Sequence, residues 1–109
     1  MGGNGFLALE YFLLLNCRYF YYKVEVMEVN VEFNEAAFRH GISRDDILHA
    51  FQHYRYDGPM EAYENKYLRL GVDRAGNLLE LMYNEIDNHT DIIFHAMKCR
   101  SIYYHLLKT

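Results

Sequence analysis

The segment His95-Ala96-Met97-Lys98-Cys99-Arg100 gathers an imidazole, an ammonium and a guanidinium within six positions. Those three groups suit a phosphodiester. An imidazole titrates near neutral pH and can take up or release a proton, while fixed cations offset charge on a phosphate. His95 is the candidate base, and Lys98 and Arg100 are the candidate phosphate cations. If the chain turns from strand to helix here, free backbone N–H groups at the helix start would add to the anion site. Tyr104 is placed to stack on a base or to donate a proton. Arg69 and Arg74, on a neighbouring strand and its turn, would extend a cationic rim.

Each residue has a plainer role. In an unbroken alternating strand His95 shares a face with Ile93 and Met97, and reads equally as a core or rim histidine with a satisfied ring nitrogen. Lys98 and Arg100 read as solvated charges, and Arg69 and Arg74 as ordinary exposed edge and turn arginines. Tyr103 falls on the stripe of Leu107 and reads as core, leaving Tyr104 as the better functional tyrosine. Asp45, His49 and His53 are spaced by four, at metal-ligand spacing on one helix face. They lack an HExxH motif or a defined partner, so an exposed polar face is expected and no metal or cofactor. Glu80, Glu85 and Asp87 read as solvent-facing. Glu80 shares a strand face with Leu78 and Met82, with Arg69 as its partner across the hairpin.

Certain elements must position these groups. A chain of 109 residues, 51% hydrophobic and 24% charged, is one globular domain with one modest core. The net charge of −4 and pI near 5.8 exclude a global basic field for nucleic acid, so any such role rests on a local patch. Eleven tyrosines suit wet sheet surfaces or an interface. Cys17 and Cys99 have neither disulfide-framework nor zinc spacing, and a reducing cytoplasm is the expected setting. Residues 1–26 read as an aromatic, apolar extension before a single domain at 27–109. FLALEYFLLL is too short to span a membrane and lacks the basic flank and cleavage site of a signal peptide. Covering that run calls for a second copy of the chain, a homo-oligomer.

Aromatic and β-branched alternation predicts a strand over Cys17 to Phe33, most secure from Val29. Asn34 caps a short helix, Glu35 to His40, ended by Gly41. Ser43 caps a second, with Asp45 and Asp46 in its first turn and Ile47, Leu48 and Phe51 as its buried stripe. Tyr54 to Glu64 reads as a loop. Strands are expected at Lys66–Val72, Leu78–Asn84 and Asp91–Met97, joined by turns at 73–76 and 87–89. A closing helix, Arg100–Leu107, would pack through Ile102, Leu106, Tyr103 and Leu107. The fold class is α+β: a small antiparallel sheet of three to four strands with two helices from the N-terminal half and a closing C-terminal helix.

From about Val29 to Leu107 the chain resembles the BrnT-like toxins of bacterial type II toxin–antitoxin systems, within the RelE-like group of small ribonucleases. The resemblance is carried by FNEAAFRHGIS and DDILHAF, by DRAGNLLEL before the central strand, and by IIFHAMKCR leading into the last helix. It implies a cytoplasmic toxin that arrests growth as a metal-independent endoribonuclease, with RNA as substrate and a cognate antitoxin as partner. Its catalytic residues would be His95, Lys98, Arg100 and Tyr104. Where the family carries an arginine at the junction this chain has Ala96, Met97 and Lys98, and its last helix is tyrosine-rich. With the acidic net charge, those departures define the rival expectation: a non-catalytic protein-binding module that kept the toxin fold.

Overall fold

The structure, a computed structural model, describes residues 29–108. The expected extension at 1–26, Cys17 and the first part of the Cys17–Phe33 strand lie outside the described residues. Strands β1 (Asn30–Phe33), β2 (Tyr54–Pro59), β3 (Lys66–Val72), β4 (Leu78–Asp87) and β5 (Thr90–Lys98) form one five-stranded sheet in the order β1-β5-β4-β3-β2. β1 pairs with β5 in parallel and every other pair is antiparallel. One α-helix, α1 (Arg44–Gln52), and two 3₁₀ segments, Glu35–Phe38 and Ser101–Leu107, complete the described residues.

The expected fold class is thereby corrected: the sheet is mixed and five-stranded, not antiparallel with three to four strands, and α1 is the one α-helix among the described residues. Tyr54 to Pro59, expected as loop, is an edge strand on β3, with Pro59 as its last residue, where a missing N–H costs no ladder bond. Parallel pairing follows from the path between β1 and β2. The chain leaves β1, crosses one face through α1, and descends at the far edge.

Local signals set the helix starts. The Asn34 side chain accepts from the Ala36 N–H at 2.8 Å and that of Ser43 from the Asp46 N–H at 3.2 Å. Gly41 and Gly76 take φ values of 80° and 88°, so each reverses the chain where a side chain would be strained.

Two apolar layers sandwich the sheet. On the α1 face Ala37, Ile47, Ala50 and Phe51 pack on Leu79, Leu81, Tyr83, Ile93 and Ala96. On the other, Tyr103, Leu106 and Leu107 of the closing 3₁₀ segment cover Leu68, Leu70 and Cys99. Ile102, expected on that packing side, is 62% exposed. A 3₁₀ helix repeats every three residues, which aligns Tyr103 with Leu106 and turns Ile102 outward.

Helix α1 lies against β3 at Gly71, where any Cβ would collide with the Ala50 carbonyl. Val72 N–H donates to the His53 carbonyl at 3.0 Å, stitching the helix end to the strand. Gly71→Ala must lift the helix from the sheet, and is expected to cost about 1–3 kcal/mol as overpacking. A urea midpoint equal to wild type would refute this close approach.

A bulge in β5 decides what His95 can meet. Met82 pairs with His95 but Tyr83 pairs with Ile93, leaving Phe94 as an extra residue. One extra residue reverses the parity of the strand. Ile93 therefore enters the α1-side core, while His95 emerges on the opposite face with Met97; the expectation that all three share a face is corrected.

Candidate functional site

On the face away from α1, Glu80 of β4 is 0% exposed, although the sequence reading placed it in solvent. Neither is Arg69 its partner. Register pairs Arg69 with Leu81 and Leu70 with Glu80, which sets Arg69 and Glu80 on opposite faces. Glu80 instead holds His95 and Arg100. Arg100 donates its backbone N–H and Nε to Oε1, both at 3.0 Å, and Nη2 to Oε2 at 2.7 Å. His95 Nε2 bonds the same Oε2 at 2.9 Å.

Backbone continuity makes this cage. Glu80 pairs with Met97, so His95 lies diagonally across the ladder on the same face. The Cys99 N–H then donates to the Leu78 carbonyl at 3.0 Å, carrying the pairing past the end of β5. Arg100 follows in an extended conformation, φ −82° and ψ 150°, where both its backbone and its guanidinium reach one carboxylate.

Burial alone would push the Glu80 carboxyl up. The hydrogen bonds from the Arg100 side chain and backbone, with that from His95, outweigh burial and bring it below its ordinary value. The same contact raises Arg100. An ionised carboxylate only accepts, so the ring hydrogen sits on Nε2 of His95 and a neutral ring keeps its lone pair on Nδ1. The carboxylate is hidden, whereas the side chains of His95 and Arg100 remain 20% and 47% exposed. A second imidazole approaches: the His40 ring meets that of His95 edge-on at 5.5 Å between centroids.

The other expected site residues lie elsewhere. Lys98 pairs with Leu79, whose side chain is in the α1-side core, so register points it away from the Glu80 face. Tyr104 is 53% exposed on the closing segment. Arg74 docks the β3–β4 turn on α1: its Nε and N–H bond Asp46 at 2.8 and 3.2 Å, and Nη1 lies 3.8 Å from Asp45. Those bonds lower Asp46 to about 2.

Arg69 is enclosed, its side chain 13% exposed. The guanidinium carbon lies 4.0 Å from the Phe51 and Tyr54 ring centres, and its nitrogens bond Asp57, the Phe51 carbonyl and the Tyr83 hydroxyl.

His49 and His53 stack at 4.0 Å, and each directs Nδ1 at a backbone carbonyl, of Val72 and His49 respectively. No group of three or more metal-binding side chains forms among the described residues. Nor is any helix among them long and apolar enough to cross a membrane.

The cluster thus unites His95 and Arg100 and adds Glu80, which sequence reasoning missed as a site residue. Its signal was present: an acid between Leu78 and Met82 on an apolar strand face requires a buried partner. Comparisons with protein-family models, with curated proteins and with solved structures gave no match, so the chemistry of this cluster stands on its own geometry.

Proposed function

We propose that this chain is the toxin of a bacterial type II toxin–antitoxin pair, a cytoplasmic, metal-independent endoribonuclease restrained by a cognate antitoxin. The observation that carries this reading is a buried carboxylate holding an imidazole and a guanidinium side by side at the surface. His95 Nδ1 accepts the 2′-hydroxyl proton. Arg100, whose Nη1 has no hydrogen-bond partner among the described residues, offsets charge on the phosphorane. Glu80 fixes the tautomer of His95 and the aim of Arg100 without touching RNA. The resemblance of HAMKCR and FNEAAFRHGIS to the BrnT-like toxins supports the same reading.

The full-length chain is expected to cleave RNA in EDTA, with or without ribosomes, and His95→Ala to slow cleavage by about 10²–10⁴-fold, the usual share of a general base. Induction in a bacterial host should arrest growth, relieved by the same substitution. Intact RNA under all these conditions would overturn the ribonuclease reading. Arrest without RNA loss would favour the second reading, a non-catalytic binding module, which draws on Ile102 and Tyr104 exposed together on the closing segment.

A further inference from the structure

We propose that His40 is the second catalytic imidazole of this site: the general acid that protonates the leaving 5′-oxygen while His95 acts as base. The inference rests on the ribonuclease reading and goes beyond it by assigning the proton that His95 cannot supply. Cleavage by a 2′-hydroxyl moves two protons, one removed from the nucleophile and one delivered to the leaving group. Glu80 commits His95 to removal, because the lone pair of the neutral ring is held on Nδ1. A separate donor is required within the span of one phosphate.

His40 meets that requirement in place and in chemistry. Its ring centroid is 5.5 Å from that of His95 and the two planes cross at 76°, which brings a second imidazole within the span of one phosphate of the first. His40 is exposed, and its ring makes no hydrogen bond among the described residues. Its carrier is firmly seated: the Asn34 N–H donates to the Ile93 carbonyl at 2.8 Å, Phe33 stacks on Phe38 at 5.5 Å, and the Gly41 N–H returns to the Phe38 carbonyl at 3.1 Å.

In the step itself, the 2′-O–H proton passes to His95 Nδ1, the O2′–P bond forms and the P–O5′ bond breaks. O5′ then takes a proton from His40. The products are a 2′,3′-cyclic phosphate and a 5′-hydroxyl end, and solvent returns the two imidazoles to their starting states.

The test uses the full chain and two matched RNA oligonucleotides, one ordinary and one with sulfur as the 5′-bridging atom at the cleaved linkage. A thiolate departs without protonation because a thiol is far more acidic than an alcohol. His40→Ala and His40→Gln are expected to lose about 10²–10⁴-fold on ordinary RNA and to return close to wild type on the sulfur substrate, whereas His95→Ala loses activity on both. Wild-type rates on ordinary RNA, or equal losses on both substrates, would overturn the assignment while leaving the ribonuclease reading intact. A wild-type chain that cleaves neither oligonucleotide, whether free or on ribosomes in magnesium buffer, would overturn both.

Discussion

Glu80→Ala is expected to remove about 3–5 kcal/mol of stability, a large part of what a small domain has. The loss comes less from the ion pair itself than from what remains. Arg100 would keep a backbone N–H and a guanidinium, and His95 an Nε2–H, each without the acceptor it had. Glu80→Gln preserves shape but replaces one acceptor oxygen with a donor facing donors, so it should recover only part of the loss. Acid gives an independent check. The folded carboxyl lies below its ordinary value of 4.5, so its contribution is complete above that pH and disappears as pH falls through the folded value. Urea titrations at pH 7 and pH 3 should therefore bring wild type and Glu80→Gln closer together at low pH. An equal gap at both pH values would remove the ionised carboxylate from the account. If the variants stay folded, RNA cleavage should fall too, because His95 loses the partner that sets its tautomer.

Arg69→Met is expected to cost about 2–4 kcal/mol, since hydrogen bonds to charged groups contribute roughly 1.5–3 kcal/mol each and the stacking adds to them. The guanidinium lies between the Phe51 and Tyr54 rings and bonds Asp57 at 3.0 Å and the Phe51 carbonyl at 2.8 Å. It thereby ties the end of α1 to β2 and β3. The Tyr83 hydroxyl completes the network by donating to Asp57 at 2.7 Å, and burial followed by that bond raises the phenol. Methionine fills the volume but leaves the Phe51 carbonyl without the guanidinium donor and Asp57 with the Tyr83 hydroxyl in place of a charged partner. Lysine should rescue little, because an ammonium is neither planar nor forked. Thermal and urea midpoints measure the effect. Unchanged midpoints with weakened RNA binding would instead return Arg69 to the cationic rim that the sequence suggested.

Much of the frame was legible in the sequence because it is written by neighbours. Asn34 and Ser43 cap their segments through bonds two and three residues away, and Gly76 closes the β3–β4 turn through its own φ. The central strands also carried their pattern: Leu79, Leu81 and Tyr83 alternate into one core. Edge strands were harder to read. Tyr54–Pro59 holds a glycine and a proline that mark a loop until a neighbour supplies the ladder, and Asn30–Phe33 shows no sign of which strand it joins or in which direction.

The candidate site divides along the same line. Sequence placed His95 and Arg100 in one short segment, and their types raised the expectation of an anion site; the anion the structure sets there is the Glu80 carboxylate. The sequence also grouped Lys98 with His95 and Arg100, because proximity in sequence does not reveal that register sends Lys98 to the other face. The sequence by itself determined the residue inventory, the turns, the caps and the apolar alternation, which depend on local backbone geometry and spacing. Only the tertiary structure decided that Phe94 bulges, that Glu80 is buried beneath His95 and Arg100, and that His40 arrives beside them. Those are consequences of pairing between strands, where a one-residue shift changes the face of every side chain beyond it.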